Sequence, residues 1–169
     1  MNRWLSAGLA VCFALVVTGL LAKKSVHNEI VINAAPDEVW SAITDAEAYG
    51  DWNPIFVHYE GPLQPNSSLT LHLKMGEKPS PVQVTVEDFV PNQWLHQAGG
   101  YPLILTYDHN WHLEAVPGGT KVIQHEDYTG LYVLFWDPAP VGLLYEAASK
   151  NLKARLENSG PDVRPNGEK

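Results

Sequence analysis

The sequence predicts an α+β fold in which an antiparallel sheet of about seven strands covers one long C-terminal helix. Segments in the middle of the chain alternate apolar and polar residues, and one segment near the end repeats apolar residues at helical spacing. Alternating strands joined by short turns are typical of an antiparallel sheet with one wet face. The apolar stripe of the helix must then cover the other face of the sheet.

The predicted domain begins with a strand over residues 27–33, and two short helices follow over residues 36–50. Pro36 suits the first helical position because its missing N–H would have no partner there. Asp37 and Glu38 follow in the first turn, where the helix dipole favours negative charge.

Six further strands and the long helix complete the prediction. The strands are expected over residues 55–60, 69–75, 82–87, 93–98, 103–116 and 120–129, with Pro and Gly residues in the turns between them. The helix stripe consists of Val141, Tyr145, Ala148, Leu152 and Leu156. It ends near residue 158, and the polar residues 159–169 are expected to form a disordered tail.

The first 24 residues form an appendage to the domain. Residues 5–22 are an uncharged apolar run of 18 residues followed by two lysines, which is near the lower length limit of a transmembrane helix. We expect a single N-terminal membrane anchor, with a cleaved signal peptide or a buried helix as alternatives. The chain would accordingly be membrane-anchored or, if cleaved, exported.

Composition excludes several classes of function. The net charge of −8 and the absence of a basic patch argue against nucleic acid as a partner. The histidines lack metal-ligand spacing, since His109 and His112 lie three apart on one predicted strand, so no metal or cofactor is expected. The glycine pairs at residues 99–100 and 118–119 are interpreted as turn glycines rather than a phosphate-binding loop.

Several motifs together resemble one known superfamily. They are Ala35-Pro-Asp-Glu-Val-Trp with Trp52-Asn-Pro54, His109-Asn-Trp-His-Leu-Glu114, Gly118-Gly-Thr-Lys-Val122 and Glu126-Asp-Tyr-Thr-Gly-Leu131. The arrangement over residues 27–158 is similar to the START-like (SRPBCC, Bet v 1-like) superfamily in its polyketide cyclase/dehydrase branch. The resemblance implies a helix-grip fold, in which a curved sheet grips the long helix and leaves a cavity for small apolar ligands.

A polar cluster is predicted on the inner wall of this sheet. His109 shares the more apolar face of its strand with Tyr107 and Trp111, and Gln124, Glu126 and Tyr128 share a face of the partner strand. The cluster would anchor a ligand, or His109 and Glu126 would act as an acid/base pair. A hydrogen-bonded core cluster without a ligand is the alternative interpretation.

Four other residues complete the predicted ligand-binding set. Trp52 and Asn53 lie where the resemblance implies the cavity rim, although a large aromatic is also typical of a core anchor. Leu131 and Phe135 belong to a dense apolar run that would line the cavity mouth, touch a membrane or pack at the root of the long helix.

Three functions remain open from the sequence. The first is a carrier or sensor that binds a hydrophobic small molecule or lipid in the cavity. The second is a polyketide cyclase/dehydratase-like enzyme that uses the Glu/His pair, and the third is an interaction module with a filled core. Whether the chain is an enzyme is not decided by the sequence, which leans towards binding, and its oligomeric state is equally open.

Overall fold

The computed structural model describes residues 3–74 and 78–158. The elements in chain order are α1 (Arg3–Leu21), β1 (Lys23–Ile32), α2 (Pro36–Ile43), α3 (Tyr49–Trp52), β2 (Phe56–Glu60), β3 (Ser67–Leu73), β4 (Ser80–Val90), β5 (Trp94–Tyr101), β6 (Leu105–Val116), β7 (Gly119–Thr129), a 3₁₀ turn (Leu131–Leu134) and α4 (Ala139–Asn158). The predicted tail over residues 159–169 lies outside the described residues, as does Met75 at the end of a predicted strand.

The seven strands form one antiparallel sheet, as the sequence predicted. Its order is β1-β7-β6-β5-β4-β3-β2, so every strand from β2 to β7 pairs with its neighbour in the chain. The two short helices carry the chain from β1 at one edge to β2 at the other. The sheet curls around α4, and the predicted helix-grip architecture is confirmed.

The first strand begins earlier than the sequence predicted. Lys23 pairs with Thr129 in the β1–β7 ladder, and its ammonium lies 2.8 Å from the carboxylate of Asp127. The ammonium of Lys24 donates to the carbonyl of Trp136 at 2.5 Å. These two lysines are therefore part of the folded sheet.

The predicted membrane anchor over residues 5–22 is not supported. In the part of the chain that the structure describes, no helix combines the length and apolar character needed to cross a membrane. The helix α1 packs beside the 3₁₀ turn, where Gly19 lies against Leu131 so closely that a Cβ atom would approach its side chain to 2.6 Å. The alternative of a cleaved signal stays a prediction.

The core lies between the concave face of the sheet and α4. The helix presents Val141, Tyr145, Ala148 and Leu152 to the sheet, and all four are buried. Trp111 on β6 is fully buried as well, and the ring of His109 on the same strand packs against Tyr145 of α4 at a centroid distance of 5.6 Å. The apolar stripe that identified the helix in the sequence is thus the face of α4 that packs against the sheet.

Candidate functional site: an internal cavity with one carboxyl group

An internal cavity of about 290 Å³ lies between the sheet and α4. Its walls come from the six strands β2 to β7, from the 3₁₀ turn and the residues after it, and from α4, and most of the lining side chains are apolar. The lining residues are Ile55, Phe56, Leu71, Leu73, Val82, Val84, Gln97, Leu105, Tyr107, His109, Glu126, Tyr128, Tyr132, Trp136, Val141 and Tyr145. Glu126 is the acidic residue among them.

Glu126 is held by two tyrosine hydroxyl groups. The hydroxyl of Tyr128, two residues along β7, donates to Oε2 at 2.5 Å, and the hydroxyl of Tyr145 on α4 donates to the same oxygen. Burial raises the pKa of Glu126 from 4.5 to about 7, although the two hydrogen bonds act in the opposite direction. The carboxyl group therefore changes its protonation state near neutral pH.

His109 is a neutral group in this site. Its Nε2 lies 3.0 Å from the side-chain amide of Gln124, and its ring packs against the rings of Phe56 and Tyr145 at centroid distances of 5.6 Å. Burial lowers the pKa of His109 from 6.5 to about 3. The imidazole is uncharged at physiological pH and contributes hydrogen-bonding capacity rather than charge.

The predicted Glu/His pair is brought together only in part. His109 and Glu126 are directly opposite in the β6–β7 register, and both line the cavity. The two side chains make their hydrogen bonds with other partners. Glu126 accepts from Tyr128 and Tyr145, and His109 contacts Gln124. Near neutral pH the carboxyl group of Glu126 therefore changes its charge, whereas the neighbouring imidazole of His109 stays neutral.

Tyr107 reaches across the neighbouring strand at a glycine. Its hydroxyl donates to the carbonyl of Gln83 at 3.0 Å, and a Cβ atom on Gly99 would lie 2.3 Å from that hydroxyl oxygen. Gly99 was interpreted as a turn glycine, but the structure places it within β5. It is needed there because any side chain would displace the tyrosine that lines the cavity.

Four predicted ligand-binding residues lie around the cavity and six lie elsewhere. Those around it are Tyr107, His109, Glu126 and Tyr128. Trp52 and Trp111 are buried core residues whose rings pack edge to face at 6.3 Å. Gln124 is fully buried, and its side-chain amide lies 3.0 Å from Nε2 of His109.

The other three residues have structural surroundings of their own. Asn53 is buried in the turn after α3, where its side-chain oxygen accepts from the backbone N–H groups of Ile55 and Phe56. Leu131 packs against α1 at Gly19, and Phe135 is 87% exposed. Their binding roles stay predictions, and the geometry favours a turn, a helix contact and an exposed surface instead.

Tyr145 is one of the site residues that the sequence pattern did not identify. It was assigned to the apolar stripe of the long helix, where its spacing fits, and it is fully buried as predicted. The available signal was its hydroxyl group, because a buried tyrosine needs a polar partner where leucine would need none. Gln97 on β5 was likewise not identified, because no motif distinguishes it.

The described residues show no cluster of three or more His, Cys, Asp or Glu side chains arranged to hold a metal ion. The polar groups of the cavity are one carboxyl group, one imidazole, one carboxamide and several phenols. Together they can bind a polar group of an otherwise apolar ligand, or exchange a proton with it.

Helix-grip folds with an internal cavity form a recognisable class, and comparison with known proteins assigns the chain within it. A family model described as polyketide cyclase / dehydrase and lipid transport matches residues 23–159. The chain therefore belongs to this family, whose match begins at Lys23, where β1 begins. No curated protein matches the chain.

Solved structures share the fold at low sequence identity. Protein CV1439 from Chromobacterium violaceum superposes with a TM-score of 0.66 at 16% identity, covering 79% of this chain and 96% of that one. The structure named Ara h 8.0201 gives 0.61 at 15% identity, covering 80% and 99%. The di-domain ARO/CYC StfQ from the steffimycin biosynthetic pathway gives 0.66 at 10% identity, covering 81% and 52%. At these identities the likeness establishes the fold alone.

Proposed function

We propose that this protein binds a hydrophobic small molecule or lipid in its cavity, as a carrier or sensor. The observation that carries the proposal is an apolar cavity whose wall holds a single carboxyl group, Glu126, positioned by two tyrosines. Apolar pockets with a few converging polar groups are the usual sites of small-molecule binding. The family's description, which includes lipid transport, supports the same proposal.

The cavity determines the expected size of the ligand and the main source of its binding affinity. Its volume of about 290 Å³ lies at the lower end of the range for ligand pockets, which favours a compact ligand or one segment of a longer molecule. Each 100 Å² of apolar ligand surface that leaves water contributes roughly 2.5 kcal/mol. Ordering the ligand opposes part of this gain.

Glu126 would select the polar group of the ligand. Below pH 7 the carboxyl group is protonated and donates a hydrogen bond, which suits a carbonyl or ether oxygen. Above pH 7 it is ionised and accepts from a hydroxyl or an amine. The tyrosine pair fixes Oε2 through two hydrogen bonds, so Oε1 is the oxygen that would face a ligand.

A cyclase/dehydratase-like enzyme is the second candidate function. A carboxyl group whose pKa is about 7 can both give and accept a proton near neutral pH, as general acid–base catalysis requires. The family contains cyclases and dehydrases by its description, and one structural neighbour is named as a di-domain ARO/CYC from a biosynthetic pathway. In this function Glu126 would move the proton and neutral His109 would orient the substrate. The cavity favours these two functions over an interaction module with a filled core.

Native mass spectrometry of the full chain after exposure to a total lipid extract tests the binding proposal. We expect a retained apolar molecule at one copy per chain. We expect Glu126→Gln to shift which molecules are retained, while Glu87→Gln, an exposed change on β4, leaves the pattern unchanged. A ligand-free mass, together with failure of a fatty-acid series and of naphthalene-type fluorophores to bind, would overturn the proposal.

A turnover assay distinguishes the enzyme hypothesis from the carrier hypothesis. Each retained molecule is incubated with the full chain, and its mass is followed for loss of water. A product that forms with a pH–rate profile centred near pH 7, and that is absent with Glu126→Gln, supports the enzyme. An unchanged ligand at every pH supports the carrier.

A further inference from the structure

Two histidines face one another on the outer surface of the sheet, on the side opposite the cavity. His27 on β1 and His125 on β7 are directly paired in the strand register, although they lie 98 residues apart in the chain. Their Nδ1 atoms are 3.3 Å apart, and the rings meet edge to face at a centroid distance of 5.4 Å. Both side chains are open to solvent on one side.

The second nitrogen of each ring has a carboxylate partner. Nε2 of His27 lies 3.0 Å from the carboxylate of Glu29, and Nε2 of His125 lies 3.2 Å from that of Asp127. A carboxylate accepts hydrogen bonds and cannot donate one, so both Nε2 atoms carry the hydrogen. When neither Nδ1 atom carries a hydrogen, the two atoms present lone pairs to each other, an arrangement that a shared cation stabilises.

The distance between the two Nδ1 atoms matches that of two ligands on one metal ion. Imidazole nitrogens bind Zn²⁺ at about 2.0–2.1 Å in tetrahedral geometry, which separates two such nitrogens by about 3.3–3.4 Å. Metal-binding histidines characteristically donate their other N–H to a carboxylate, which fixes the ring and raises its basicity. The observed pair meets both conditions.

The carboxylates are themselves held in place. The ammonium of Lys121 lies 2.9 Å from the other oxygen of Glu29, and that of Lys23 lies 2.8 Å from the other oxygen of Asp127. The hydroxyl of Ser25 also donates to Asp127, at 2.5 Å. These contacts hold the two carboxylates, and the carboxylates in turn restrict the rotation of the two imidazoles.

We propose that His27 and His125 bind one divalent transition-metal ion, of the copper or zinc type, between their Nδ1 atoms across β1 and β7. Two protein ligands leave the remaining positions to water, which is consistent with the absence of any three-residue cluster among the described residues. Imidazole ligands suit both ions, and Cu²⁺ binds more tightly than Zn²⁺. No local spacing groups these two histidines, because they lie 98 residues apart in the chain.

Binding at this place ties the edge strand β1 to β7. His125 and Asp127 flank Glu126, whose side chain enters the cavity on the other face of the same strand. A ligand that binds only the folded state stabilises it in proportion to the logarithm of its concentration. The bound ion would thus stabilise the pairing of β1 with β7, the strand that carries Glu126.

Titration of Cu²⁺ and Zn²⁺ into the full chain without a histidine tag tests the proposal. We expect one ion per chain by calorimetry and a rise in the melting temperature. His27→Ala and His125→Ala should each weaken binding by tenfold or more. His96→Ala is the matched control, because this outward-facing imidazole also contacts a carboxylate, that of Asp108, on other strands. Equal affinities in all three variants would overturn the proposal.

A spectroscopic measurement on the unmodified chain makes the test independent of variant folding. Electron paramagnetic resonance of the Cu²⁺-loaded protein should show coupling to two imidazole nitrogens. Coupling to one nitrogen or to none, or the lack of saturable binding of either ion, would contradict the site.

Discussion

The hydroxyl of Tyr145, on the C-terminal helix, donates to Oε2 of Glu126, on the last strand of the sheet. The bond joins the two layers of the molecule inside an apolar cavity. Through this bond a side chain of the C-terminal helix lowers the pKa of the one carboxyl group in the cavity wall, against the larger effect of burial.

Removing the helix hydroxyl should make Glu126 a weaker acid. In Tyr145→Phe the ionised carboxylate loses one of its two donors, and a hydrogen bond to a charged group contributes about 1.5–3 kcal/mol. We expect the pKa of Glu126 to rise by about one unit or more, as measured by NMR titration of the ¹³C-labelled carboxyl carbon. Tyr59→Phe is the control, because that hydroxyl bonds to the Thr44 carbonyl instead. An unchanged titration would show that the bond does not favour the charged form.

The pH dependence of stability should reveal the buried carboxyl group. Burial raises the pKa of Glu126 from 4.5 to about 7, so the folded state retains a proton that the unfolded chain loses. Its contribution to stability is complete below pH 4.5 and is lost as the pH rises to 7, by about 3 kcal/mol. Urea unfolding should find Glu126→Gln equal to the wild type at pH 4 and more stable at pH 8. Equal stability of the two proteins at pH 8 would contradict the raised pKa.

His109 should produce the opposite dependence. Burial lowers the pKa of its imidazole from 6.5 to about 3, so the unfolded chain binds a proton that the folded state does not. The contribution of His109 to stability is complete above pH 6.5 and is lost as the pH falls towards 3. We expect His109→Gln to flatten the acid side of the stability profile, whereas His72→Gln on the sheet exterior should preserve it.

Filling the cavity should abolish ligand binding while preserving the fold. Val84 on β4 lines the cavity, and Val84→Phe places an aromatic ring in the space of about 290 Å³. We expect binding of an apolar fluorophore to fall at least tenfold, with a stability change within about 1–3 kcal/mol. Glu87→Phe adds the same ring at an exposed position of the same strand and should bind normally. Full binding by Val84→Phe would place the ligand elsewhere.

Two glycine substitutions should have opposite effects on stability. Gly99→Ala brings a Cβ atom to 2.3 Å from the Tyr107 hydroxyl and 2.8 Å from the Gln83 carbonyl oxygen. We expect a loss of about 1–3 kcal/mol in urea unfolding. Gly142→Ala, in α4, meets only the Val26 side chain at 3.7 Å and should gain about 0.5–1 kcal/mol. A neutral Gly99→Ala would show that Tyr107 has room to move.

The fold was predictable because its signals are local in the chain. Alternation of apolar and polar residues identified the strands, and the faces assigned to β6 and β7 are confirmed by the burial of His109, Trp111, Gln124 and Glu126. Element boundaries were less predictable. Leu103, at the start of a predicted strand, adopts a positive φ of 68° and lies outside β6. Pairing with a distant strand, rather than local pattern, decided that Lys23 and Lys24 belong to β1.

The sequence by itself determined the fold class, the strand faces and the presence of Glu126 and His109 on the inner wall, since each of these follows from periodicity along a short segment. Only the tertiary structure decided which side chains meet. Tyr145 reaches Glu126 from 19 residues away, and His27 meets His125 from 98 residues away. These contacts depend on how α4 crosses the sheet and how β1 pairs with β7, and neither geometry is encoded in a local pattern.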